Sequence, residues 1–159
     1  GFKQAIEKFN FDLIETPVGD KYVAEAMKKY DAALGGEQSG HIIISDLLPV
    51  GDGLVTLIYV LKAMQHFGVA LSDFKREHLY EYPQKLTNLE LENKLNDEEL
   101  EYINQIALDM SIKKDLDGRY LIRNSGTEPL LRVLVEAKSN EAMEDFSNEL
   151  ITKINKYLN

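Results

Sequence analysis

The 159-residue chain contains no cysteine. That excludes a disulfide framework, a thiolate metal site and a cysteine nucleophile. Such a composition suits a reducing compartment, so a cytoplasmic location is expected. Long apolar runs are also missing. The longest block, "LVTLIYVLKAM", has eleven residues, whereas a membrane-spanning helix needs about 20. It reads as a buried helix, and no membrane partner is expected. Positive charge is scarce, with 18 Lys and Arg against 27 Asp and Glu and a net charge of −9. This argues against a general nucleic-acid or anionic-membrane surface. Of the 3 histidines, His66 and His78 lack partners at metal-ligand spacing and read as surface residues. The chain also has no initiator Met, and "GFKQAIEKF" enters a helical pattern almost at once. It is therefore expected to be a piece of a longer protein.

What is present fits a globular protein: 44% of residues are apolar and 28% charged. The length allows one ordinary domain or two small ones, with enough chain to bury a core. Charge is uneven. Residues 113–132 hold Lys113, Lys114, Arg119, Arg123 and Arg132 against Asp115, Asp117 and Glu128, a net of +2 that leaves −11 for the rest. A locally basic window around a Gly/Ser/Thr loop in an acidic protein points to a small anionic ligand.

The first part alternates between helix and strand patterns, which predicts an α/β layer. "FKQAIEKF" places Phe2, Ile6 and Phe9 on one helical face, and "FDLIET" reads as a strand ended by Pro17. "DKYVAEAMKKY" is helical, capped by Asp20, with Tyr22, Val23, Ala26 and Tyr30 on one side. "AALGGE" is a short strand, and "HIIIS" reads as a strand buried on both faces. Asp52 is a natural N-cap for "GLVTLIYVLKAMQHF", which is apolar nearly all round and so expected to be central. A lone Asp52 between glycines supplies too few ligands for a metal.

A composition shift marks a connecting segment at about residues 68–80. The expected fold is an α/β layered domain (residues 1–72) followed by a smaller α+β domain (residues 80–159) with a phosphate-binding loop. In the second, "KLTNLELEN" alternates as a strand, and Asn96 with Glu99 resembles a capping box. Leu100, Ile103, Ala107 and Met110 form the stripe of that helix. "GRYLI" and "PLLRVLVEA" are strands, the latter with Leu131, Val133 and Val135 on one face and Leu130, Arg132 and Leu134 on the other. Ser139 caps a last helix whose stripe is Met143, Phe146, Leu150, Ile154 and Leu158.

Two stretches carry chemistry. In "RNSGTEPLLR", Arg123 offers a planar fork, Ser125 and Thr127 offer hydroxyls, and Gly126 lets the backbone turn its N–H groups inward. Arg132 interrupts an apolar position of the next strand, which is odd unless it reaches back to the loop. A hairpin whose hydroxyls satisfy their own backbone is the plain alternative; two flanking arginines favour an anion site. In "LGGEQSGHIII", a carboxylate (Glu37) and a hydroxyl (Ser39) suit vicinal sugar hydroxyls, which donate and accept together. His41 can hydrogen-bond a phosphate or shuttle a proton. A solvated turn for Glu37 and a satisfied strand-edge histidine for His41 are the alternatives.

Taken in order, "TPVGDKYV", "GGEQSGH", "GDG" and "RNSGTEPLLRV" resemble the phosphohexomutases, over essentially the whole chain. They are most similar to the phosphoglucosamine mutase branch. One departure is Lys21, where that branch more often has Arg; charge survives but bidentate geometry does not. The resemblance implies the third and fourth of four domains. It places the phosphoserine and an Asp-rich Mg2+ loop in N-terminal domains outside this chain. It implies interconversion of glucosamine 6-phosphate and glucosamine 1-phosphate through a bisphosphorylated sugar, feeding cell-wall precursors. By the same resemblance Arg123, Asn124, Ser125, Gly126, Thr127 and Arg132 hold phosphate, and Glu37 and Ser39 grip ring hydroxyls. His41 would lie near the reacting end in an acid/base role. No metal is expected on this chain, and the chain alone is expected to be inactive. Three alternatives stay open: another hexose-phosphate mutase branch (phosphoglucomutase or phosphomannomutase), a stand-alone phosphosugar-binding module without catalysis, and an α/β interaction domain with purely structural loops.

Overall fold

The structure, a computed structural model, describes residues 1–158. They divide into two compact units, Gly1–Tyr80 and Glu81 onward.

The first unit contains α1 (Phe2–Lys8), α2 (Asp20–Tyr30), β1 (Leu34–Gly36), β2 (Ile42–Ile44), α3 (Gly53–Phe67) and α4 (Leu71–His78). β1 and β2 form an antiparallel hairpin with Gly35 opposite Ile43. Its small core is Val23 and Met27 of α2 against Ile43. Gly35 makes this approach possible. A Cβ there would lie 2.3 Å from Met27 Sδ and 2.7 Å from Val23 Cγ1, closer than real contacts allow.

Several expectations are corrected here. "FDLIET" forms no strand, because no neighbouring strand accepts its backbone. Asp20 is the first helical residue of α2, and Gly19 at φ 135° is the N-cap. The buried face of α2 is Val23 and Met27, one turn apart, whereas Tyr22 and Tyr30 are exposed. Only Ile43 of the isoleucine strand is buried, since a two-stranded sheet has too little cover for both faces. Asp52 does cap α3, accepting from Val55 N–H at 2.8 Å. Yet α3 buries no residue, and Leu54 is 73% exposed. Its apolar pattern is that of a core helix, and the two three-residue strands of this unit are too small to cover it. The segment at 68–80 is not a bare linker: α4 occupies most of it. Phe74 of α4 stacks near Phe9, with ring centroids 6.4 Å apart, and packs on His78 at 4.5 Å. These rings tie α4 to the C-terminal end of α1, and His78 is half-buried among them.

The second unit contains β3 (Gln84–Glu90), α5 (Asp97–Lys113), β4 (Gly118–Asn124), β5 (Leu130–Ala137) and α6 (Asn140–Leu158). All three strands are antiparallel, in the order β3-β5-β4. Both helices cover one face of the sheet. Ile103, Ala107 and Met110 of α5 and Met143, Phe146, Leu150 and Ile154 of α6 pack with Ile122, Leu131, Val133 and Val135. The helix ends follow sequence chemistry. Asn96 and Glu99 make the reciprocal capping box of α5, and Ser139 Oγ accepts from Ala142 N–H at 3.1 Å. Lys114, at the end of α5, bridges to Asp145 at 2.5 Å and Glu149 at 2.8 Å on α6. Hydrogen bonds to Asp145 and then Glu149 raise the Lys114 ammonium above its ordinary value. The Lys114 hydrogen bond holds the Glu149 carboxyl below its own.

Candidate functional site

The β1–β2 connection carries the first set of residues. Glu37 N–H donates to His41 O at 2.9 Å and Gly40 N–H donates to Glu37 O at 3.0 Å, closing a tight turn. Gly40 sits at φ 97°, a conformation other residues avoid. Ser39 and His41 are thereby held together at an exposed corner, with Ser39 Oγ and His41 Nδ1 3.3 Å apart. Glu37 is half-buried, and its Oε1 accepts from Gly19 N–H at 2.9 Å. So the "TPVG" segment docks on the glutamate of "GGEQSGH", leaving Oε2 for another donor. The "VGDG" segment is close as well: a Cβ at Gly51 would lie 3.4 Å from His41 Cδ2. Three motifs separated in sequence therefore meet around Glu37 and His41. Lys21 is beside them in sequence, but its ammonium lies 3.8 Å from Glu25 and 6.0 Å from the Tyr22 ring.

The second set lies on the β4–β5 hairpin, and the sheet explains it. Arg123 and Arg132 are direct cross-strand partners, with Asn88 of β3 on the other side of Arg132. All three stand on the face that the helices leave open. Like charges directly opposite one another repel. Nothing within the described residues relieves Arg123: no hydrogen bond or ion pair reaches its guanidinium. Arg132 has only Glu128, at 3.7 Å, and its Nε is buried without a partner. Ser125, 2% exposed, also keeps an unpartnered hydroxyl. A buried polar atom left unpaired costs about 1–3 kcal/mol, so the ligand-free hairpin holds several unmet groups close together.

The loop backbone adds donors. Ser125 N–H is taken by Leu130 O at 2.8 Å and Leu130 N–H by Glu128 O at 2.9 Å. Between them, the N–H groups of Gly126, Thr127 and Glu128 have no acceptor among the described residues. Gly126 itself differs from expectation: its φ is not positive, and a Cβ there would meet nothing within 4 Å. The Gly126 backbone therefore does not itself require a glycine. Asn124 also does other work. Its side-chain amide donates to Leu95 O at 2.8 Å and accepts from Leu95 N–H at 3.3 Å. That side chain pins the β3–α5 connection instead of facing a ligand.

Three participants escaped sequence reading. Gly19 acts through a backbone N–H. Asn88 gains its place only from strand order. Lys94, whose Nζ donates to Gly126 O at 2.6 Å, is one lysine in an unpatterned loop. Among the described residues, no group of three or more His, Cys, Asp or Glu side chains is placed to hold a metal.

Fold and loops together define an α/β unit with a carboxylate–hydroxyl hairpin, followed by an α+β unit with an arginine-flanked loop rich in unpaired donors. Residues 1–82 match the family model described as phosphoglucomutase/phosphomannomutase, alpha/beta/alpha domain III. Residues 86–153 match the model described as phosphoglucomutase/phosphomannomutase, C-terminal domain. The chain belongs to the phosphoglucomutase/phosphomannomutase family. It is 45% identical over 146 residues to a phosphoglucosamine mutase of Streptococcus agalactiae, covering 91% of this chain and 32% of that protein. With a phosphoglucosamine mutase of Bacillus subtilis it is 40% identical over 151 residues, covering 95% of this chain and 34% of the relative. The chain thus spans about a third of the length of the curated relatives it matches. Among solved structures, it shares the fold of an N-acetylglucosamine-phosphate mutase of the alpha-D-phosphohexomutase superfamily. That likeness has a TM-score of 0.72 at 18% identity over 96% of this chain and 36% of that one. An Aspergillus fumigatus N-acetylphosphoglucosamine mutase superposes with a TM-score of 0.77 at 16% identity, over 98% of this chain and 36% of that one.

Proposed function

We propose that this chain supplies the sugar-gripping and phosphate-holding part of a phosphoglucosamine mutase, which interconverts glucosamine 6-phosphate and glucosamine 1-phosphate. The observation that carries the reading is the facing pair Arg123 and Arg132, with Ser125 Oγ and Arg132 Nε unmet beside them. A phosphate dianion between two guanidinium groups converts their repulsion into charge-assisted hydrogen bonds. The free N–H groups of residues 126–128 and the Thr127 hydroxyl supply further donors. In a mutase the sugar must react at either end, so the phosphate that is not reacting has to be held in both orientations. Glu37 Oε2 and Ser39 Oγ suit the ring hydroxyls, and the exposed His41 imidazole can donate or accept a proton. Holding the remote phosphate lets binding energy position the reacting end.

Magnesium and a phosphoserine would provide the phosphoryl transfer itself in N-terminal domains of the whole enzyme. The described residues offer magnesium no ligand cluster, and no step is assigned to it on this chain. By likeness to the family, the chain alone is expected to bind but not to turn over, in a cytoplasmic setting.

The deciding assay uses the full-length protein with glucosamine 6-phosphate, glucose 6-phosphate and mannose 6-phosphate in parallel. The highest kcat/KM is expected for glucosamine 6-phosphate; preference for either neutral sugar would move the chain to another branch. Turnover by the isolated chain that survives repurification would overturn the division of labour.

A further inference from the structure

Resting on the reading of residues 123–132 as a phosphate-holding hairpin, we propose that Lys94 is its positioning residue, a latch that turns the Gly126–Thr127 peptide toward the ligand. The β3–α5 connection touches the hairpin at three points. Leu91 N–H donates to Pro129 O at 2.9 Å. Leu95 exchanges two hydrogen bonds with the Asn124 amide. Lys94 Nζ donates to Gly126 O at 2.6 Å. The first two contacts extend or brace the ends of strands. The third reaches the exposed apex of the loop.

That apex has little else to fix it. A peptide preceded by glycine can rotate at low cost, and no side chain packs within 4 Å of where a Gly126 Cβ would be. The peptide is trans, so its C=O and N–H point in opposite directions. Holding the Gly126 carbonyl at Lys94 therefore directs the Thr127 N–H away from Lys94. With the peptide reversed, a carbonyl would replace that donor and repel an incoming anion. An exposed lysine gives up rotamer freedom to make such a contact. The return is a loop whose donors are oriented before the ligand arrives.

The test uses the chain with inorganic phosphate as the probe and compares wild type, Lys94→Gln, Lys94→Arg and Lys94→Met. Backbone NMR reports the Gly126 carbonyl and Thr127 amide shifts, and phosphate titration reports affinity. Lys94→Met should shift both resonances in the free protein and weaken phosphate binding by roughly three- to ten-fold, the range for one lost hydrogen bond. Lys94→Gln keeps a donor without charge and should restore most of the affinity, as should Lys94→Arg. Wild-type affinity in Lys94→Met overturns the proposal. So does rescue by Arg but not Gln, which would make Lys94 a bare charge. If wild type takes no phosphate while Lys94→Met still moves the Gly126 carbonyl, the anion reading fails and the contact alone survives.

Discussion

Ser125 and Ser147 are both buried serines whose hydroxyls meet no partner, and their settings differ. Ser147 lies within α6 among core side chains. Ser147→Ala removes an unsatisfied hydroxyl and introduces the best helix former, so it should stabilise the chain by about 1 kcal/mol in urea unfolding. Ser125→Ala should likewise not destabilise the free chain, but it should weaken phosphate binding. Equal phosphate affinity in Ser125→Ala would leave that hydroxyl without a ligand. Arg123 behaves differently again. Arg123→Ala removes one of two opposed cations, so the melting temperature should hold or rise slightly. Sugar-phosphate binding should weaken roughly ten- to a hundred-fold, because a charged hydrogen bond is worth about 1.5–3 kcal/mol. Arg123→Lys should recover only part, since an ammonium lacks the planar fork. Paired titrations and melts decide this; a variant that unfolds yet binds normally would make Arg123 structural.

At the scale of elements, α5 is held at both ends. At its start, Asn96→Ala breaks the capping box and should cost about 1 kcal/mol in denaturant melts. At its end, Lys114 staples α5 to α6 through Asp145 and Glu149. The Glu149 carboxyl is held below its ordinary 4.5, so its contribution is full above that pH and is lost as pH falls through the lowered value. The Lys114 ammonium is raised above 10.5, so its contribution is full below that pH and is lost as pH rises through the raised value. The stability difference between wild type and Lys114→Met should therefore be flat from about pH 5 to 10 and shrink in stronger acid. Both groups meet solvent, and the difference should also decrease in high salt. A difference that grows in acid would contradict the staple.

At the scale of the whole molecule, the two units have unequal cores. The second encloses a continuous cluster from Ile103 to Ile154, whereas the first buries Val23, Met27 and Ile43 around a two-stranded hairpin. Thermal unfolding should show two transitions, the first unit melting earlier. Phe146→Ala should cost about 3–5 kcal/mol in the later transition and leave the earlier one unmoved. Probes in α3 and α6 followed separately, by hydrogen exchange, would check it; a single shared transition would mean that the units do not unfold independently.

Local periodicity determined much of this protein. The α5 box, the α6 stripe and the β5 alternation were legible because each needs only neighbours a few residues away. The motif order also carried the family. Long-range pairing decided the rest. Register placed Arg132 between Arg123 and Asn88, turning two arginines nine positions apart into one charged row. Folding brought Gly19 to Glu37 and Lys94 to Gly126 through a backbone N–H and a flexible side chain, neither of which leaves a sequence pattern. The apolar pattern of α3 stated that the helix can be buried; whether anything covers it depends on how much sheet the surrounding chain can build. Hydrophobic spacing is a property of the element, whereas contact is a property of the chain that closes around it.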